Sequence, residues 1–168
     1  MGNGPHTASA VAKDLAGITA TSASVSFSVN NPSIVPSCAT PATNAFLGCY
    51  YTGQNFNKLV FSRLDLAISF DWSGVGPRGP VALGPDNYSV RWLGSFSFGA
   101  GTYQFTVNTD DGEVLYIDGQ PVYSNWVPHG SYPVMVNVPL TAGTHVVRLD
   151  YFQQAGGAIA QLSWKEIP

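Results

Sequence analysis

Short alternations of apolar and polar residues recur along the chain from Phe46 onward. In one of them Tyr103, Phe105 and Val107 fall on one face of a strand, and the polar residues between them fall on the other. Gly, Pro, Asn or Asp separates the alternations, as in β-sandwiches and barrels. We therefore predict strands at residues 46–51, 66–72, 88–98, 101–108, 113–117, 120–123, 134–139, 143–153 and 158–165.

Two local features refine this all-β prediction. Asp118-Gly119 separates two predicted strands and predicts a two-residue hairpin turn, because type I′ turns need a positive φ at both central positions. Three of the four tryptophans lie within strand patterns, so we expect them in the core: Trp72, Trp92 and Trp164. No amphipathic helix and no internal repeat is predicted.

The first 44 residues differ in composition from the rest. Residues 1–44 are rich in Ser, Thr, Ala, Asn and Pro, which predicts a linker or edge segment before a folded domain at 45–168. The alternation of Val25, Phe27 and Val29 predicts one edge strand there, ended by the Asn-Pro and Val-Pro pairs that follow. No apolar signal region follows the first methionine, and we expect a fragment of a larger secreted or surface protein.

Composition narrows the classes of function. Only 10% of the 168 residues are charged, and the net charge is −3, so no basic surface for nucleic acid is expected. The apolar runs are strand-sized and fall short of the roughly 20 residues of a membrane span. We therefore expect a soluble domain that neither binds nucleic acid nor inserts into a membrane.

Cys38 and Cys49 are the only cysteines. Their spacing does not resemble a zinc site, which needs more ligands. A disulfide between them, in an oxidising extracellular or cell-surface setting, is one interpretation; two buried free thiols are the other.

The segment Thr109-Asp110-Asp111-Gly112 places two adjacent carboxylates at the end of a predicted strand. Neighbouring side chains of a strand point to opposite faces. A cis peptide bond between Asp110 and Asp111 would bring both carboxylates to one ion, and a hard cation such as calcium would relieve their repulsion. The alternative is an ordinary Asp-Gly turn with solvated acids.

A second polar segment, residues 150–158, joins two strong strand patterns. It offers backbone carbonyls and glutamine amide oxygens, which are suitable calcium ligands. The alternative is that Gly156 and Gly157 simply allow a tight turn.

The order of several motifs resembles the protective-antigen fourteen-kilodalton (PA-fourteen) domain family over residues 46–168. The motifs are Asn87-Tyr88-Ser89-Val90-Arg91-Trp92, Ala100-Gly101-Thr102-Tyr103-Gln104-Phe105, Thr109-Asp110-Asp111-Gly112, Ile117-Asp118-Gly119, Asn125-Trp126 and the segment 151–164. The resemblance implies an antiparallel β-sandwich or barrel, found in adhesins, glycosidases, glycosyltransferases and toxins.

The resemblance also implies a site. In the lectin members of this family a cis-linked Asp pair holds a calcium ion that ligates sugar hydroxyls, and Asp110 and Asp111 match that pair. The second calcium loop of those lectins matches residues 153–158. Gln154 would supply a side-chain oxygen there, and Ala155 and Gly157 would supply backbone carbonyls.

Sugar contacts are expected from residues around the ion. Asp110 and Asp111 would accept hydrogen bonds from the ligated hydroxyls, with further contacts from Gln153 and Gln154. Trp126 lies in a turn-rich stretch, where it either stacks on a sugar ring or packs as a structural residue.

Three classes of function are considered for this sequence: an enzyme, a carbohydrate-binding module and a non-catalytic spacer. A glycoside hydrolase needs two carboxylates about 5 to 9 Å apart on opposite sides of a bond, which the adjacent Asp110 and Asp111 do not provide. We therefore expect no catalysis. The leading hypothesis is a calcium-dependent carbohydrate-binding (lectin) module of a secreted or cell-surface adhesin, monomeric within a larger chain and binding glycans. The alternative is a non-catalytic accessory or spacer domain of a larger glycosidase or toxin-like protein.

Overall fold

The computed structural model describes residues 4–29 and 38–168, which form strands and turns and contain no helix. None of these residues belongs to a helix long and apolar enough to cross a membrane. The strands are β1 (Gly4–Ala8), β2 (Val11–Lys13), β3 (Thr19–Thr21), β4 (Val25–Val29), β5 (Ala42–Thr43), β6 (Phe46–Thr52), β7 (Lys58–Asp65), β8 (Ile68–Asp71), β9 (Tyr88–Phe98), β10 (Gly101–Asp110), β11 (Glu113–Ile117), β12 (Gln120–Asn125), β13 (Tyr132–Leu140), β14 (Gly143–Gln153) and β15 (Ile159–Ile167).

The chain divides into two compact units, Met1–Ile34 and Val35–Pro168. In the first unit β1 pairs with β4, and β2 pairs with β3, all antiparallel. The strand expected from Val25 and Phe27 is confirmed as β4. Its partner β1 was not predicted from the sequence. The Asn-Pro and Val-Pro pairs expected to end this strand lie outside the described residues.

The second unit is the predicted antiparallel β-sandwich. One sheet has the order β13-β10-β15-β8, and the other has the order β12-β11-β14-β9-β6-β7, with β5 joined in parallel to β9. Apolar side chains of both sheets form one core, in which Trp92, Phe105 and Leu149 are fully buried. Trp72 also lies in this core and Trp164 packs against it partly buried, so the placement expected for the tryptophans is confirmed.

The structure adds two strands to the predicted sandwich, β5 and β7, and shortens another. β7 was missed because its basic and acidic residues interrupt the apolar alternation. Its last residue, Asp65, is nevertheless buried, since its carboxylate accepts hydrogen bonds from Tyr50 (2.6 Å) and Trp92 (2.9 Å). The strand expected to begin at Leu66 begins at Ile68 instead, and Leu66 is exposed.

Arg91 pairs with Asp150 and not with Asp86, although Asp86 is much closer to it along the chain. Arg91 and Asp150 lie directly opposite each other on β9 and β14. Both oxygens of the Asp150 carboxylate accept from the Arg91 guanidinium at 2.8 Å. Asp86 accepts from the backbone N–H of Gly156 instead. Cross-strand register therefore decides the pairing, rather than proximity along the chain.

Cys38 and Cys49 form the predicted disulfide, with an S–S distance of 2.07 Å. Cys49 is a buried residue of β6, and the bond closes a loop with a sequence separation of 11. The disulfide therefore ties the segment that precedes the sandwich to a strand of the larger sheet.

We expect the double change Cys38→Ala and Cys49→Ala to lower the free energy of unfolding by about 2 to 3 kcal/mol, because the unfolded chain regains the entropy of the open loop. Urea denaturation followed by tryptophan fluorescence measures the change. Reduction of the unchanged protein should give a similar loss. A loss below about 0.5 kcal/mol in both cases would show that the bond contributes nothing to stability.

The hairpin turn between β11 and β12 is the predicted Asp118-Gly119 turn, with φ values of 50° and 80°. The Asp118 carboxylate also accepts from the backbone N–H of Val146 (2.8 Å) and lies 2.6 Å from Nδ1 of His145. The hydrogen bond with Asp118, aided by the carbonyl of Thr141, raises the pKa of His145. Burial alone would raise the pKa of Asp118, but the Val146 N–H and His145 lower it.

The pairing of His145 with Asp118 predicts a pH-dependent stability. Because the pKa of His145 is raised in the folded state, protonation of His145 stabilises the protein. This stabilisation is complete below the ordinary histidine pKa of about 6.5 and is lost as pH rises through the folded-state pKa. His145→Gln should therefore lower the free energy of unfolding by about 0.5 kcal/mol at pH 6 and by less at pH 9. Urea denaturation at both pH values tests this, and an equal loss at both would contradict it.

Candidate functional site

The two adjacent aspartates lie at one end of the sandwich. Asp110 is the last residue of β10, and the peptide bond that joins it to Asp111 is cis, as the family resemblance implies. Asp110 is partly exposed, whereas Asp111 is buried. Two carboxylates therefore lie at a strand end, beside the loops that follow β12 and β14.

Backbone N–H groups from both of these loops hold the Asp111 carboxylate. Oδ1 accepts from the N–H of His129 (3.2 Å), and Oδ2 accepts from the N–H of Gln154 (2.7 Å). Hydrogen bonds to a charged carboxylate are stronger than those between neutral groups. Asp111 thus joins the two loops through its charge, and its own position is fixed by them.

Asp110 faces the loop 154–157 at close range. A Cβ added to Gly157 would lie only 2.5 Å from Oδ2 of Asp110, so this position must be glycine for the carboxylate to stay where it is. Burial raises the pKa of Asp110, and the charge of Asp111 raises it further. Asp110 thus carries an electrostatic penalty that a bound cation would relieve.

A buried side chain of the core, Tyr151, holds the backbone of Asp110. The hydroxyl of Tyr151 lies 2.6 Å from the backbone carbonyl of Asp110 and 2.9 Å from Oε1 of Gln153. Tyr151 and Gln153 are both fully buried, and burial is the largest cause that raises the pKa of Tyr151. The side chain of Gln153 therefore faces the core, and its Nε2 has no hydrogen-bond partner among the described residues.

Three other predicted residues lie in two places: Gln154 and Ala155 in the loop after β14, and Trp126 after β12. Gln154 and Ala155 are exposed in the loop that contacts Asp111, and the carbonyl of Gln154 accepts from the N–H of Asn87 (3.1 Å). Trp126 contacts the rings of Phe56 and Phe152, with centroid distances of 5.7 and 4.8 Å. The structure thus brings the loop and the Asp pair together, and it packs Trp126 against other aromatic side chains.

A buried acid near the pair, Glu113, was not predicted from the sequence. Glu113 is 1% exposed, and its Oε2 accepts from the Thr109 hydroxyl (2.6 Å) and lies 2.8 Å from Nε2 of His129. Burial lowers the pKa of His129, but hydrogen bonds with Gly130 and Glu113 outweigh it and raise the pKa. Because His129 also donates its backbone N–H to Asp111, Glu113 braces the site indirectly. The sequence signal for Glu113 was its position as a single acidic residue at the start of the otherwise apolar strand β11.

The donor set is one of oxygen atoms. Within residues 4–29 and 38–168 no three His, Cys, Asp or Glu side chains are grouped so as to hold a metal ion. A cation at Asp110 and Asp111 would complete its shell with carbonyl, amide, water or ligand oxygens. Such a shell suits calcium, which takes six to eight oxygen ligands in irregular geometry, and does not suit zinc.

Comparison with known proteins agrees with this architecture. Residues 43–166 match the family model of the PA14 domain, the protective-antigen fourteen-kilodalton family of the sequence resemblance. The anti-sigma-I factor RsgI3 of Acetivibrio thermocellus is 34% identical over 119 residues, which are 70% of this chain and 18% of that protein. The chain thus spans less than a fifth of the length of that relative.

Two solved structures are also similar. An anti-sigma factor domain-containing protein aligns with a TM-score of 0.66 and 33% identity over 72% of this chain and 42% of that one. The PA14 sugar-binding domain from an RTX adhesin aligns with a TM-score of 0.63 and 24% identity over 74% of this chain and 91% of that one. With its family-model match, its sandwich topology and its cis-linked aspartates, this chain belongs to the PA14 domain family.

Proposed function

We propose that the domain is a calcium-dependent carbohydrate-binding module. Asp110 and Asp111 would hold the ion, together with the Gln154 side chain and the carbonyls of Ala155 and Gly157. The observation that carries this proposal is the convergence of both carboxylates on the loop 154–157, where Gly157 leaves room for the Asp110 carboxylate. The sugar-binding PA14 domain of an adhesin supports it as a structural neighbour.

In this proposal calcium acts as a fixed positive charge with open coordination positions. Two neighbouring hydroxyls of a pyranose would take those positions in place of water. Asp110, which is partly exposed, would accept a hydrogen bond from one of these hydroxyls. Asp111 already accepts two backbone N–H groups, so its role would be mainly to fix the ion. The residues present are suited to binding and orienting a sugar, and we assign them no catalytic step.

We infer further that the module works outside the cell or at its surface, as one part of a larger chain. The disulfide suits an oxidising compartment. The curated relative is far longer than the matched region, which supports a module within a larger protein. A second candidate is a spacer without ligand in such a protein, and it predicts that the Asp pair binds no ion.

We expect the double change Asp110→Ala and Asp111→Ala to abolish calcium-dependent glycan binding while the domain stays folded, because the ligands of the ion are lost. A glycan array probed with calcium and again with a chelator measures this. Glu166→Ala is the control, since Glu166 is an exposed acid that lies opposite Tyr103 near the far end of β15, whereas Asp110 lies opposite Ile159 at its start.

Three outcomes of the array would contradict the proposal. A signal that survives the chelator at full strength would exclude calcium from recognition. Undiminished binding by the double variant would place the sugar elsewhere on the domain. The absence of any glycan signal in calcium would favour the spacer.

Gly157→Ala gives a subtler test of the same geometry. The added methyl group would push the Asp110 carboxylate aside, and a carboxylate at the end of a side chain can move without unfolding the backbone. We expect calcium affinity measured by calorimetry to fall on the order of tenfold, with the free energy of unfolding changed by less than about 1 kcal/mol. Gly84→Ala is the control, because a Cβ there meets no atom within 4 Å. Equal calcium affinity in both variants would remove Asp110 from the ligand set.

A further inference from the structure

A cleft lies on the outer face of the larger sheet, which is the face turned away from the core. Its floor includes side chains from β9, β11 and β14, among them Arg91, Tyr116 and Arg148. Phe56, from the loop after β6, and Trp126, which follows β12, also line it. Its volume is about 400 Å³, within the roughly 300 to 1,000 Å³ of small-molecule sites. We call it the arginine cleft.

Asp150 lies in the floor and binds both arginines. Arg91 donates to both carboxylate oxygens at 2.8 Å. Arg148 donates its Nε to Oδ1 at 2.8 Å and its Nη2 to Oδ2. The register explains this arrangement, since Arg91 is opposite Asp150 and Arg148 precedes it by two residues on the same face of β14.

This cluster carries one unneutralised positive charge. Two guanidinium groups share a single carboxylate, and the Asp150 side chain is only 4% exposed. The side chains of Arg91 and Arg148 are 27% and 28% exposed. Each guanidinium has five N–H donors and gives two of them to Asp150. Donors are therefore available in the cleft, on a chain whose net charge is −3.

Aromatic rings hold both guanidinium planes in place. The Cζ atom of Arg91 lies 4.4 Å from the ring centroid of Phe56, and that of Arg148 lies 4.2 Å from the ring centroid of Tyr116. Stacking of this kind fixes the orientation of a guanidinium and leaves its edges free to donate. The donors are thus positioned before any ligand arrives.

The walls of the cleft are also fixed. The backbone N–H of Phe56 donates to the Ser89 hydroxyl (2.9 Å), which in turn donates to the carbonyl of Gly53 (2.8 Å). Trp126 contacts both Phe56 and Phe152. A planar apolar wall therefore stands beside a cationic floor.

We propose that the arginine cleft binds a uronate, a sugar ring that carries a carboxylate, at a site separate from the aspartate pair and independent of calcium. The carboxylate would accept from the free N–H groups of Arg91 and Arg148. The apolar face of the ring would lie against Trp126. A neutral sugar lacks the charged acceptor that the excess positive charge favours. This site adds to the proposed calcium site and does not require it.

Titration of the full chain with methyl glucuronide and with methyl glucoside tests the proposal, because the two probes differ only in the carboxylate. The titrations are followed by NMR in EDTA, so the result does not depend on the calcium site. We expect the glucuronide to bind at least about tenfold more tightly. The indole N–H of Trp126 and the Nε–H groups of Arg91 and Arg148 should shift.

Variants locate the binding. Arg148→Gln should weaken glucuronide binding by about tenfold, whereas Lys165→Gln, which removes an exposed positive charge from β15, should not change it. Equal affinity for the two probes would overturn the proposal. So would shifts confined to residues 109–113 and 153–158, or full affinity in Arg148→Gln. If that variant does not fold, the map of shifts in the unchanged protein still decides the question.

Discussion

The candidate site depends on holding two like charges beside each other. Burial raises the pKa of Asp110, and repulsion from the adjacent carboxylate of Asp111 raises it further. Backbone N–H groups of His129 and Gln154 offset part of this cost at Asp111. Two loops far apart in sequence are thereby joined at one carboxylate. A cation bound at the site would neutralise the charge of the Asp110 carboxylate.

The sandwich supplies the rigidity that this arrangement needs. Asp110 ends β10, a strand paired on both sides, with β13 and β15. The hydroxyl of the buried Tyr151 reaches the Asp110 carbonyl from within the core. Glu113 fixes the His129 ring whose backbone holds Asp111. Binding residues on loops are thus positioned by side chains that belong to strands, as is common where a rigid scaffold carries function.

Much of the fold was predictable because the relevant signals are local. Alternation marks β9, β11 and β14 to the residue, and Asp118-Gly119 marks its turn. The sequence did not reveal β7, because Asp65 is a carboxylate buried by partners on β6 and β9. The pairing of Arg91 with Asp150 was equally hidden, since it depends on cross-strand register over a separation of 59 residues.

The candidate site shows the same difference between local sequence signals and contacts made only in the folded chain. The Asp pair and the loop 154–157 are visible as motifs, whereas Glu113 and His129 join them only through the folded chain. The environment of Trp126 could not be predicted from its local sequence. Its neighbours Phe56 and Phe152 lie on separate parts of the chain, and only the structure shows that these rings adjoin a cationic floor. Residues that act through a partner distant in sequence leave no local pattern.

The amount of calcium that the purified domain retains distinguishes an ion-binding aspartate pair from an empty one. The domain is equilibrated with micromolar calcium, freed of unbound ions by gel filtration, and measured by atomic emission beside the Asp110→Ala, Asp111→Ala double variant. We expect about one calcium ion per chain in the unchanged protein and none in the variant. No retained calcium in either protein, or equal calcium in both, would contradict it.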